Sequence, residues 1–298
     1  MTLLTKQNDN SPLPIIALLI GAGIWGMIWY PYRLLEQAGI SGEASTTISY
    51  FFALLLGLIL FRKSIRFSLI FNGEAHLLLW IGLFAGWANI AYIVGIVYGE
   101  IMRVLLLFYL APLWTTIFAR FLLNERLSLY GYLVIALSLA GAATILWQPE
   151  NAFPLPSSFG DWMGLLGGFM FALVNVLIRK DQRHNIQLKS IAIWIGITLV
   201  GLVCSQFVNT SLVFTEISIG SWLILLGVGL LMFLSSVVLQ FGLTYTPANQ
   251  AIIILLFELV VAAITAYFLA NEAMTLSEWA GGLMIISATL FSTKMNRA

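Results

Sequence analysis

The chain has 298 residues, of which 60% are hydrophobic and 9% charged, with a formal net charge of +1 and a mean hydropathy of +0.97. Soluble domains carry about 25% charged residues, so a globule of this size would lack the polar groups to cover its surface. A near-neutral chain also lacks the basic face that nucleic acid demands, which removes that partner from consideration.

In chain order, residues 1–12 form a polar tail, without the apolar core and small-residue cleavage site of a signal peptide. Apolar runs then follow at 13–35, 44–61, 76–98, 100–122, 128–147, 160–179, 190–209, 219–243, 248–270 and 275–293. Each approaches the ~20 residues that a bilayer-spanning helix needs, and none shows the apolar–polar alternation of a membrane barrel strand. The expected class is therefore an all-α integral membrane protein with ten transmembrane helices. A proline-bearing linker at 148–159 separates a first five-helix unit, 13–147, from a second, 160–293, and 294–298 form a short tail. The single cysteine, Cys204, rules out an intramolecular disulfide and a thiolate metal cluster. It reads as a small buried filler.

Basic residues set the orientation. With a cytoplasmic N-terminus, Lys6, Arg62, Lys63, Arg66, Arg120, Arg126, Arg179, Lys180, Arg183, Lys189, Lys294 and Arg297 all fall inside, and only Arg33 and Arg103 fall outside. Both termini are then cytoplasmic. Arg103 could attract a carboxylate, but snorkelling to the outer interface is the simpler reading.

A repeat links the two units. A shift of 147 positions aligns Gly82 with Gly229, Gly95 with Gly242, Tyr98 with Tyr245, Asn124-Glu125 with Asn271-Glu272, and Leu129 with Leu276. A shift of 146 aligns Arg33 with Arg179. Five spans per unit is an odd number, so the second unit must enter the membrane upside down. Inverted repeats of this kind mark transporters that bind substrate near the midplane, between the halves.

The Trp25-Gly26 pair, the Leu110-Ala111-Pro112 turn, and Asn124-Glu125 with Asn271-Glu272 resemble the drug/metabolite transporter superfamily, in its ten-helix branch of paired EamA-type repeats. The Phe108-Tyr109-Leu110-Ala111-Pro112 stretch and the aromatic first and third spans are most similar to YddG-type amino acid exporters. In the second unit, Leu259 stands where the matching proline would fall. This speaks against equivalent kinks in both halves.

The polar side chains within the spans are few. Glu258 lies near mid-depth in the ninth span, where a carboxylate either binds a proton or a substrate amine, or is satisfied by a neighbouring helix. Asn89, Asn175 and Gln240 lie on stripes at helical spacing, namely Gly82-Gly86-Asn89, Gly168-Phe171-Asn175 and Gly229-Phe233-Ser236-Gln240. Such faces line a cavity or allow close helix packing through an interhelical hydrogen bond. Trp25, Trp29, Tyr92 and Tyr109 could hold an ammonium on their ring faces, and the alternative for each is core packing. Trp80, Trp162 and Trp279 belong to an interfacial belt. Pro112 kinks the fourth span and offers a hinge.

Other patterns carry no chemistry. Gly21-Ala22-Gly23-Ile24-Trp25-Gly26 matches a dinucleotide fingerprint but lies within a span, with no strand before it. Asn209-Thr210-Ser211 is a formal glycosylation sequon, and His76 and His184 are not a metal pair. No cofactor, metal or enzymatic constellation is expected, although an integral membrane enzyme is the contrasting class. The sequence reads as a secondary transporter in a bacterial inner membrane, monomeric in lipid. Its expected cargo is a small organic solute, amino acids first and drugs or other metabolites second. The cavity is expected between spans 1, 3, 4, 6, 8 and 9.

Overall fold

A computed structural model describes residues 12–65, 70, 73–99, 101–146, 156, 158–205, 217–270 and 275–295. Asn271-Glu272, the sequon, most of the linker, the tail residues 1–11 and 296–298, and the Arg103 and Tyr98 side chains lie outside what is described. Regular structure among the described residues is helical: α1 (Leu13–Met27), α2 (Trp29–Gln37), α3 (Gly42–Leu60), α4 (Ala75–Tyr98), α5 (Ile101–Phe108), α6 (Ala111–Phe118), α7 (Leu129–Leu146), α8 (Phe159–Lys180), α9 (Ile186–Ser205), α10 (Ile219–Tyr245), α11 (Ala248–Leu255), α12 (Phe257–Ala270) and α13 (Leu276–Phe291). Nine stretches among the described residues are long and apolar enough to cross a membrane, with α1–α2, α5–α6 and α11–α12 each counted as one. The chain is thus a multi-pass membrane protein. The last helix, α13, has 16 residues and so rises only about 24 Å.

Three of the crossings are broken part-way. In the fourth, Tyr109 and Leu110 interrupt the helix, and Pro112 sits in the first turn of α6, where its missing N–H is tolerated. In the first, the break falls at Ile28. In the ninth, it falls at Leu256, with no proline nearby, and the Leu259 N–H reaches back three residues to the Leu256 carbonyl at 3.1 Å. Leu259 in place of proline speaks against equivalent kinks in both halves, yet the ninth crossing is interrupted as well. Gly26 of α1 lies so close that a Cβ there would come within 2.6 Å of the Glu258 carbonyl oxygen.

Small residues govern the packing. Helix α4 lies along α8 and α9, α10 along α1 and α3, α5 and α6 along α8, α11 and α12 along α1, α3 along α9, and α7 along α13. A Cβ on Gly86 would meet the Gly196 carbonyl oxygen at 2.6 Å, so α4 and α9 touch backbone to backbone, as helices in lipid do where small residues line the seam. Gly21 packs on the Leu239 side chain, while Gly23 faces open space. Trp80, Trp162 and Trp279 are exposed on the apolar surface, where a belt residue belongs. Cys204, expected as a buried filler, is only half-buried.

Gly86→Ala is expected to lower the thermal unfolding temperature of the detergent-solubilised protein by the equivalent of about 1–3 kcal/mol, the scale of overpacking. Gly227→Ala, where a Cβ meets nothing within 4 Å, should be neutral or slightly stabilising.

Candidate functional site

The breaks in the fourth and ninth crossings border a cavity of about 150 Å³. Its polar lining includes Asn89 on α4, Tyr109 just after α5, Asn175 on α8, Ser236 and Gln240 on α10, and Glu258 in the first turn of α12. Trp25 of α1 closes one wall, and Tyr92, Phe108 and Phe171 form another. The Phe108 ring stands edge-on to Tyr92, with centroids 5.1 Å apart, and packs on Phe171 at 5.4 Å. Phe108 is held in place by glycine: Gly168 lies directly against its carbonyl. That oxygen is the one Pro112 cannot bond, since proline has no N–H.

Eight of the nine side chains that sequence reasoning put in the cavity line it: Trp25, Asn89, Tyr92, Tyr109, Phe171, Asn175, Gln240 and Glu258. Trp29 does not. Its Nε1 donates to Thr265 Oγ1 at 3.1 Å, and the Thr265 hydroxyl in turn lies 3.0 Å from the Ala262 carbonyl and 3.1 Å from the Gly26 carbonyl, sharing its one proton between them. The break at Ile28 shifts the helical register between Trp25 and Trp29, so the two rings no longer share a face. Pro112 is buried beside the cavity rather than lining it. Sequence reasoning missed Tyr50 of α3 and Ile193 and Ile197 of α9, which also line the space. A tyrosine in mid-span was the available signal for the first, and the two isoleucines offered none.

Tyr109 donates its hydroxyl to Glu258 Oε1. This bond ties the two broken crossings together. Glu258 is the one acidic or basic side chain among the described residues that line the cavity. Further along, Asn175 and Gln240 are each 3% exposed, and Asn175 Nδ2, Gln240 Oε1 and Asn89 Oδ1 have no hydrogen-bond partner among the described residues. Asn249, which does not line the cavity, likewise has both amide atoms without a partner among the described residues.

A polar lock lies one helical turn beyond this floor. Arg179, four residues after Asn175, donates to the Thr244 carbonyl at 2.6 Å, and Thr244 lies four residues after Gln240. Arg179 also pairs with Glu125 Oε1 at 3.7 Å. The Glu125 carboxylate accepts the Ala248 N–H at 3.1 Å, capping the N-terminus of α11, where negative charge is favoured. Burial pushes the Glu125 carboxyl up from its ordinary range, against the Ala248 N–H and Arg179, which draw it down. Beside this, Lys189 is fully buried, and its Nζ donates to the Ile178 carbonyl at 2.9 Å, to Thr244 Oγ1 at 3.0 Å and to the Asp181 carbonyl. It caps the end of α8. His184, which sequence reasoning set aside, joins Asp181 Oδ2 at 2.8 Å and the Ile70 carbonyl at 3.3 Å. Ile178 and Leu243 line the cavity just above the lock.

Comparison with known proteins gives one consistent answer. The EamA-like transporter family matches the chain twice, over residues 12–147 and 158–294. An uncharacterized transporter of Archaeoglobus fulgidus is 27% identical over 203 residues, which is 68% of this chain and 70% of that one. A crystal structure described only as that of a protein shares the fold, with a TM-score of 0.76 at 14% identity, covering 94% of this chain and 97% of the other. The chain belongs to the EamA-like transporter family of the drug/metabolite transporter superfamily. Family and relative alike point to membrane transport rather than to an enzyme.

If the lock seals the floor, Glu125→Ala should both destabilise the protein, by about 1–3 kcal/mol for the orphaned partners, and open the floor. In a Cys204→Ser background, Ile178→Cys should react several-fold faster with a polar thiol reagent once Glu125→Ala is added. An unchanged rate would mean that the lock does not control access.

Proposed function

We propose that this member of the EamA-like family is a secondary transporter that exports small organic solutes, amino acids foremost, by alternating access around the central cavity. The observation that carries this is the composition of the cavity wall. Trp25, Asn89, Tyr92 and Tyr109 come from the first family-matched segment, and Phe171, Asn175, Gln240 and Glu258 from the second. A space shared between two halves and bordered by broken helices is what alternating access requires.

The two segments read as inverted five-helix repeats, with ten crossings and both termini in the cytoplasm. Helix pairing supports this. Exchanging each crossing for its counterpart five places along turns the packing of α4 on α8 and α9 into that of α10 on α1 and α3. It likewise turns the packing of the fourth crossing on the sixth into that of the ninth on the first, and leaves α3 with α9 and α7 with α13 unchanged. On this topology the Arg179–Glu125–Thr244 lock faces the cytoplasm, so the cavity is closed to the inside. The plasma membrane of a bacterium is the setting this reading implies, with the protein working as a monomer.

The solute's fit follows from the lining. Glu258 meets an amino group, the aromatic rings meet an apolar or aromatic side chain, and the amides of Asn89, Asn175 and Gln240 meet the remaining polar groups. YddG-type amino acid export is the specific form of this reading. The apolar majority of the wall favours, as the second reading, efflux of drugs or other metabolites by the same route.

Reconstituted in liposomes, the protein should carry labelled neutral and aromatic amino acids, and the rate should respond to an imposed pH gradient. Trp25→Ala and Asn175→Ala are expected to raise the apparent KM about tenfold, the loss of about 1.4 kcal/mol of binding. Trp29→Phe should leave it nearly unchanged. Flux of drugs with no amino acid carried would sink the substrate assignment, and a gradient response undiminished in Glu258→Gln would remove that residue from proton coupling.

A further inference from the structure

We infer that the cavity reads the positive charge of its solute and not a carboxylate. The preferred ligand class is then an aromatic or apolar monocation: an amine, or an amino acid whose carboxyl group is amidated or esterified. This rests on the transport reading above and narrows it.

Charge balance is the first reason. Among the described residues lining the cavity, Glu258 is the one acidic or basic side chain, and Tyr109 is its hydrogen-bond partner. Arg179 and Lys189, two basic residues close along the chain to the cavity lining, are committed elsewhere. Arg179 is engaged by Glu125 and the Thr244 carbonyl, and Lys189 by the Ile178 and Asp181 carbonyls and Thr244 Oγ1. A carboxylate drawn out of water is stabilised chiefly by an opposite charge with hydrogen bonds. The described residues of the wall supply no such charge, so the solute must. An ammonium at Glu258 does this and at the same time lies among ring faces: Trp25, Tyr92 and Phe108 share that cavity, and cation–π attraction strengthens in a desolvated site.

The second reason is the donor–acceptor balance at the amides. Asn89 Oδ1 and Gln240 Oε1 are orphaned acceptors, and Asn175 Nδ2 is an orphaned donor. An ionised carboxylate only accepts hydrogen bonds. It would satisfy Asn175, leave both carbonyl oxygens unmet, and bring a second negative charge into the space that holds Glu258. A primary carboxamide both donates and accepts, so it can satisfy a carbonyl oxygen and Asn175 together without adding charge. A zwitterionic amino acid is therefore tolerated, since it brings its own ammonium, but its carboxylate weakens its binding. A carboxylic acid without the amine has nothing to offer Glu258.

The test holds the apolar body constant and varies the charge. Binding to the full-length protein in detergent would be measured by calorimetry for phenethylamine, phenylalanine amide, phenylalanine, 2-phenylethanol and 3-phenylpropionate. The amine and the amide should bind about tenfold more tightly than phenylalanine, roughly 1.4 kcal/mol, and 3-phenylpropionate should not bind. Glu258→Gln should reduce phenethylamine to the affinity of 2-phenylethanol. A thermal unfolding temperature unchanged in Glu258→Gln reports a folded protein. Binding of 3-phenylpropionate as tight as that of phenethylamine would overturn the inference, as would a preference for cations that survives Glu258→Gln. Cation-selective binding without flux in liposomes would uphold this inference while defeating the transport reading. Flux of amino acids with no preference for the cations would do the reverse.

Discussion

The structure depends on a constraint that lipid imposes. A backbone N–H or C=O released from a helix inside a bilayer must find its partner within the protein, since no water is there to supply one. Three crossings are broken, at Ile28, at Tyr109–Leu110 and at Leu256, and each break is buried against another crossing. The Gly26 carbonyl lies 3.1 Å from the Thr265 hydroxyl, which it shares with the Ala262 carbonyl. The Phe108 carbonyl, deprived of its donor by Pro112, lies on Gly168. The first turn of α12 rests on Gly26, and its Glu258 side chain accepts Tyr109. Two of the three breaks, those in the fourth and ninth crossings, border the cavity.

The cavity and the contact faces divide the work among residue types. Glycines at 82, 86 and 196 bring α4 and α9 into backbone contact, and Gly164 and Gly168 do the same for α8 against α5. Close approach at these seams leaves the larger side chains to turn inward, where Phe108, Tyr92 and Phe171 surround a space instead of filling it. The α7–α13 pair stays outside this arrangement, with Gly141 and Gly281 at its own seam and no residue in the cavity wall. Crossings that form the site and crossings that only enclose it are thus distinguished by what their small residues face.

Much of this was legible in the sequence, because lipid makes sequence patterns strict. Continuous apolar runs give helices, and a carboxylate or amide amid such a run must face an interior. That logic located Glu258, Asn89, Asn175 and Gln240 without any structure. It failed where a local rule was interrupted by a tertiary contact. Trp29 lies one turn from Trp25 on an unbroken helix, but the break at Ile28 turns it to Thr265. Leu259 in place of proline speaks against equivalent kinks in the two halves, yet the ninth crossing is interrupted at Leu256, and the turn that follows lies against Gly26. Ile193 and Ile197 are ordinary in an apolar run, so only the three-dimensional arrangement places them in the wall. Lys189 read as a topology marker, and no spacing rule pairs it with the carbonyls of Ile178 and Asp181.

The repeated Asn-Glu pair shows how two residues can carry a mechanical role. After α6 the chain continues as a π-helical turn over Ala119–Leu123, which Asn124 ends with φ at 57°, a left-handed conformation that asparagine tolerates better than most residues. The turn it makes projects Glu125 onto the N-terminus of α11 and toward Arg179. Arg179 is one turn from Asn175 on α8, and Thr244 is one turn from Gln240 on α10, so floor and lock share two rigid helices. Broken crossings border the cavity, and the unbroken α8 and α10 lead from it to the Arg179–Glu125–Thr244 cluster. On the transport reading proposed above, a solute that displaced Asn175 or Gln240 would act on Arg179 and Thr244 through these two helices.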